Sequence, residues 1–258
     1  MDVAKWTARC LAGAALSLLG GCLAQSRNLA GGSVEYRPAL LTPVFPLAPG
    51  SKGRVGVGGG AVSAKVGTVM LDNRGSIGQT VDDSSRVVLE GMLGLGESWA
   101  VRVALQSYTV GVMGSWHHAW KLADVEAHFG AHVSQMQVVQ VDSVYPGALD
   151  FLSSPYRDTA SEKRRGIAPE LGCTVVLRPE GFVRPWLSWS MTTLADPGME
   201  SAVQEVVPTG GFVHSFSGGL VAGEPQGLTA WGGGGAVGVA DGRMRWGWNA
   251  YGGIGWEF

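Results

Sequence analysis

The chain has 258 residues, a formal net charge of −2, and 16% charged against 45% hydrophobic residues. That balance excludes a nucleic-acid binder, which needs a basic surface. Charged residues fall well short of the quarter usual in a soluble domain. This suits strands in which apolar residues take every second position. Beyond the N-terminus no apolar run approaches the eighteen or so residues of a membrane helix, so any spanning structure has to be β.

At the N-terminus Lys5 and Arg9 precede an apolar stretch, Cys10 to Leu19, followed by small residues. A basic start and a short apolar region predict an export signal over residues 1–22. Leu19-Gly20-Gly21-Cys22 resembles the bacterial lipobox, which makes Cys22 the candidate for lipidation. Ordinary cleavage after Ala24 is the alternative, and both readings export the chain. Either way Cys173 is left without a disulfide partner and reads as a small apolar residue. Residues 23–53 lack periodicity. Pro38, Pro43, Pro46 and Pro49 keep them extended, as a periplasmic tether or as a plug in the lumen of a barrel.

From residue 54 onward the chain alternates. Arg54 to Val69 reads as a Gly-rich first strand and Asp72 to Ser84 as a polar loop. In Arg86 to Leu95 one face is Val87, Leu89, Gly91, Leu93 and Leu95. Gly96-Glu97-Ser98 turns the chain into a strand from Trp99. A strand at Val110 to Trp120 and a turn at Lys121 to Ala123 come next. Asp124 to Ser134 places Val125, Ala127, Phe129, Ala131 and Val133 opposite Asp124, Glu126, His128, His132 and Ser134, and the pattern reaches toward Gln140. Val141 to Arg165 reads as a long loop. Ile167 to Arg178 is a strand, Pro179-Glu180-Gly181 a turn, and Val183 to Met191 a strand. Leu194 to Pro208 is a loop, Gly210 to Ala222 and Leu228 to Ala240 are strands, and Asp241-Gly242 is a hairpin signal. Pro169 and Pro185 stand against this reading, because each removes a ladder donor.

Long connections alternate with short ones along most of the chain. The last strand, Met244 to Phe258, sets Met244, Trp246, Trp248, Ala250, Gly252, Ile254, Trp256 and Phe258 on one face and every charge on the other. From Trp246 to Trp256 such a strand runs about 33 Å. Tilted by about 40°, it spans roughly 25 Å, the height of a bilayer's apolar band. Trp246 and Trp248 at one end, with Trp256 and Phe258 at the other, sit where membrane girdles belong. The fold class expected is all-β: a closed, antiparallel, up-and-down transmembrane barrel of about ten strands, covering residues 54–258.

Tyr251, Gly253, Trp256 and the terminal Phe258 resemble the C-terminal assembly signal of bacterial outer-membrane β-barrel proteins. The resemblance implies location in the bacterial outer membrane and recognition by the barrel-insertion machinery. It also implies outer-membrane lipids and lipopolysaccharide as partners, with segments 72–84, 141–165 and 194–208 outside the cell.

Chemistry is sparse, and no catalytic residue, metal site or cofactor is expected. Asp124, Glu126, His128 and His132 form the richest polar face. Two His four apart on a strand are about 13 Å apart, too far to share a metal unaided. The reading adopted is a lumen ladder pairing with Arg86, Arg102, Arg184 or Arg245. His214 cannot meet Ser215 or Ser217, because odd spacings point to opposite faces of a strand. Lys163-Arg164-Arg165 is a charged loop cluster that could meet lipopolysaccharide phosphates. His117-His118 beside Trp116 and Trp120 reads as an interfacial patch, and Gly232 to Gly235 as a packing device. The function expected is a non-enzymatic structural or surface-interaction role. A lipid-modifying hydrolase or acyltransferase, or a narrow pore for small solutes, is the alternative.

Overall fold

A computed structural model describes residues 26–37, 39–48, 50–70, 76–81, 85–145, 156–177, 182–194, 211–224, 226–240 and 244–258. They form β1 (Ser26–Arg37), β2 (Gly53–Ser63), β3 (Lys65–Met70), β4 (Ser76–Val81), β5 (Arg86–Gly94), β6 (Trp99–Gln106) and β7 (Val110–Ala119). β8 (Ala123–Tyr145), β9 (Tyr156–Leu177), β10 (Val183–Thr193), β11 (Phe212–Gly223), β12 (Leu228–Ala240) and β13 (Met244–Glu257) complete the order. No helix among the described residues is long and apolar enough to cross a membrane.

Ten of these strands close a ring. β2 pairs with β5, each later strand with the next, and β13 returns to pair with β2 from Glu257↔Arg54 to Trp248↔Ser63, antiparallel throughout. Closure leaves the ring without an edge. The alternation read from the sequence becomes an inside and an outside. Ile167, Leu187 and Phe129 point outward at 75%, 67% and 60% exposure, while Trp186 and Glu126 point inward at 1% and 0%. In β13 the outward row includes Trp246, Trp248, Ile254 and Trp256, and the inward row includes Asn249, Tyr251 and Glu257.

The two troublesome prolines bound a ladder. β9 and β10 pair only from Glu170↔Thr192 to Val176↔Trp186. Pro169 and Pro185 each stand one residue beyond an end of it, where a missing donor costs little on that edge. Pro169 still pairs toward β8 at Ala131, and Pro185 toward β11 at Leu220.

Three expected boundaries change. The first strand does not run on to Val69: it ends at Ser63, and β3 leaves the ring to pair with β4. The expected loop at 72–84 therefore contains a strand. The expected loop at 141–165 is largely the far end of a hairpin, since β8 runs to Tyr145 and β9 starts at Tyr156. This stretch stays in register past β7's reach, from Val133↔Ile167 to Val144↔Tyr156. Val138, Val139, Val141 and Val144 supply β-branched residues. β1 takes over the edge that β7 leaves, pairing Arg37↔Gln135 through Ser26↔Tyr145, and β4 adds to β1 in parallel. The expected loop at 194–208 lies outside the described residues beyond Leu194, as do Cys22 and the residues around it.

Candidate functional site

The segment between β1 and β2 runs through the barrel. β1 joins the hairpin at the end where the long connections lie. Past the segment, the Lys52 and Gly53 amides donate to the Phe258 carbonyl at 2.7 and 3.1 Å, at the short-turn end. Between these points Ala39, Leu40, Leu41, Thr42, Val44, Phe45 and Leu47 are buried. Their neighbours come from the whole circumference. Leu40, Leu41 and Phe45 share one apolar cluster with Val88, Ala104, Met136, Val176, Trp186, Val213, Val237 and Tyr251.

An extended chain inside a barrel has no ladder of its own, so its backbone groups must find side chains. The wall supplies them in steps. Gln106 accepts from the Leu40 amide through Oε1 (2.8 Å) and donates Nε2 to the Leu40 carbonyl (3.1 Å). Arg102 donates Nη2 to Thr42 Oγ1 at 2.8 Å. Arg54 donates Nη2 to the Phe45 carbonyl at 2.5 Å. The Glu257 carboxylate accepts from the Ala48 amide. Pro43 and Pro46 need no such partner, because proline carries no N–H. Their presence in this stretch suits the same requirement.

Phe45 is the apolar anchor. It meets Trp186 edge-on, with ring centroids 5.6 Å apart, and Trp231 at 5.7 Å. Those indoles fit because inward positions around them are glycine. A Cβ on Gly219 or Gly233 would lie 2.8 or 2.6 Å from the Trp186 ring. One on Gly58 or Gly253 would lie 3.1 or 2.8 Å from Trp231. The glycine run expected to permit close packing is thus part of a set of sockets, in which Gly233 faces Trp186. A void of about 10 Å³ remains beside Leu40, Leu41, Asn249 and Tyr251, about enough for one water.

The charged side chains that meet the segment belong to a larger set of largely buried charge. Arg102 donates Nε and Nη2 to Glu90 Oε2 at 3.1 and 2.7 Å. Arg54 lies 3.9 Å from Glu257. Asp124, Glu126, His128 and His132 all point inward and are buried. The two histidines of this ladder meet Glu170 of β9 rather than an arginine across the barrel. Glu170 lies 3.6 Å from His128 Nε2 and 3.4 Å from His132 Nδ1, while His128 Nδ1 donates to Glu126 at 3.2 Å. One carboxylate thus spans the two imidazoles. The cross-strand pair Gly130↔Glu170 brings this about, by placing Glu170 between positions 128 and 132. No set of His, Cys, Asp and Glu among the described residues is arranged to hold a metal.

The remaining predicted residues divide between the two faces of the wall. Trp246, Trp248, Trp256 and Phe258 are exposed on the outer face at 53–57%. Of the assembly-signal residues, Tyr251 points inward and stacks near Trp186 at 6.2 Å, while Gly253 lies under Trp231. His214 packs outward beside Trp189 and Phe212, with Ser215 and Ser217 buried on the inner side. His118 lies between Trp116 and Trp120 at the short-turn end. Sequence reasoning missed Arg54, Gln106, Glu170 and Glu257 as contributors to the lumen. Each is an isolated polar residue on the less apolar face of its strand, and that placement was the available signal.

The chain matches no family model and no curated protein. Among solved structures it is similar to the translocator domain of autotransporter NalP from Neisseria meningitidis. The identity is 9%, over 81% of this chain and 89% of that one, with a TM-score of 0.36. A likeness so distant says nothing of function.

Proposed function

We propose that this chain is a bacterial outer-membrane barrel that is plugged by its own N-terminal segment and has a non-enzymatic, structural or surface-interaction role. The observation that carries the reading is the threaded segment 39–48. Its polar groups at Leu40, Thr42, Phe45 and Ala48 are met in turn by Gln106, Arg102, Arg54 and Glu257, and its Phe45 is seated between two tryptophans. An outer surface of exposed Val, Leu, Ile, Phe and Trp around a closed ring supports the membrane location. In this reading the C-terminus faces the periplasm. The β8–β9 hairpin with β1, and the segments 72–84 and 194–208, face outward. Tyr251, Gly253, Trp256 and Phe258 address the insertion machinery, and lipids and lipopolysaccharide surround the wall.

The hydrolase alternative is disfavoured by His214 and Ser215 lying on opposite faces. A pore is disfavoured by the occupied lumen. The test is refolding into lipid vesicles. The unboiled protein should run faster than the boiled protein on a denaturing gel, and planar bilayers containing it should carry no steady current. Extraction by salt alone with no gel shift refutes the membrane reading, and a stable ohmic current refutes the plug.

A further inference from the structure

Lys163 and Arg165 lie on the outer face of β9. Ile167, the next outward residue down the strand, is the most exposed apolar side chain in the described structure at 75%. Side chains two apart share a face, so about 7 Å of strand separates the apolar wall from the first cation. The neighbouring strands make the same transition at the same level. Val133 of β8 is paired with Ile167, and Gln135, two residues further, is paired with Arg165. Arg37 of β1 then pairs with Gln135, so Arg165, Gln135 and Arg37 form one row. Gln137 stands beside Lys163 in the row above.

Within these rows the charges are not equal. Arg37 is held by Glu35 at 2.9 Å and stacks over the Tyr108 ring at 4.6 Å. Arg164 points to the other face and pairs with Glu162 at 2.9 Å. Lys163 and Arg165 are exposed and have no ion-pair partner among the described residues. Exposed cations directly above an apolar outer surface sit where headgroup phosphates lie in the outer-membrane reading. Guanidinium and ammonium donors bind phosphate oxygens through charge-assisted hydrogen bonds.

We propose that Lys163 and Arg165, with the Gln135 and Gln137 amides beside them, form a binding site for the phosphate of an anionic membrane lipid. The site rests on the outer-membrane reading. It draws such lipids to one side of the wall, beneath the β8–β9 hairpin.

The test uses the full chain refolded into phosphatidylcholine vesicles carrying spin-labelled phosphatidylglycerol or spin-labelled phosphatidylcholine. The protein-restricted fraction of each label gives a selectivity ratio. One or two partly exposed ion pairs predict a preference of about two- to fivefold for phosphatidylglycerol. Lys163→Gln with Arg165→Gln brings the ratio to about one, whereas Arg164→Gln leaves it unchanged. A ratio of one for the unmodified protein, or an equal fall in Arg164→Gln, overturns the site. The gel shift is measured on the same vesicles. If it is absent, the membrane reading itself has failed. If it is present without selectivity, only the lipid site has failed.

Discussion

Replacing Phe45 by Ala removes the ring that the lumen is built to hold. Phe45 is 6% exposed, with Trp186 and Trp231 at 5.6 and 5.7 Å. Truncating a buried Phe costs about 3–5 kcal/mol through lost burial and the cavity left behind. The edge-to-face contact with Trp186 is worth about 0.5–1.5 kcal/mol beyond the area it buries. Segment 39–48 makes no ladder bonds, so the loss falls on its seating and leaves the ring of strands intact. At about 1.4 kcal/mol per factor of ten, the unseated fraction rises roughly 100- to 4000-fold. Single-channel recording in planar bilayers reads this directly. The unmodified protein should stay closed, Phe45→Ala should show frequent transient openings, and both should keep the same gel shift. If Phe45→Ala stays as silent as the parent with its barrel intact, the segment is not what closes the lumen.

The same geometry sets three other outcomes. Arg102→Met strands the largely buried Glu90 carboxylate and should destabilise the barrel by about 2–4 kcal/mol in urea unfolding. Adding Glu90→Gln should recover much of that, whereas no recovery would show that the pair is not coupled. Gly233→Val places a side chain against the Trp186 ring. It should lower stability by about 1–3 kcal/mol, read as a lower temperature for losing the gel shift, while the same change at Gly91, where a Cβ meets nothing within 4 Å, should have little effect. Phe258→Ala should reduce the amount of barrel assembled in cells while leaving refolding into vesicles nearly unchanged. Equal loss in both would make Phe258 a packing residue and not a signal.

The barrel was legible because a closed wall with an apolar outside and a filled inside imposes period two on every strand. β13 carries that period without interruption, and the strands from Arg86 to Leu95 and from Leu228 to Ala240 were read to within a residue. The hairpin beyond the wall was not legible. Gln135 and Gln137 interrupt the outer, apolar face, and Gln140 and Asp142 lie on the opposite face, so beyond the ring neither face is consistently apolar. What stabilises that stretch is β1, far earlier in the chain, and no local pattern announces so distant a pairing. The threaded segment was legible only as an extended, Pro-rich stretch. Its polar partners are lone residues on β2, β6 and β13, brought together by closure of the ring. Glu170 was hidden for a related reason. The alternation around it marks an apolar outer face, and only the register with Gly130 sets its carboxylate between two histidines. The prolines at 169 and 185 show the converse, since their awkwardness vanishes once the short β9–β10 ladder is known.

In the proposed orientation the chain passes from β1 at the cell-surface end, through the lumen, to β2 at the end where Phe258 lies. Two versions of the protein test it, one with an epitope directly ahead of Ser26 and one with an internal epitope in the Gly96-Glu97-Ser98 turn. Antibody binding to intact cells should detect the first and miss the second, and both should be detected after the outer membrane is permeabilised. Detection of the turn epitope alone on intact cells, or of both or neither, would contradict a segment threaded in this direction.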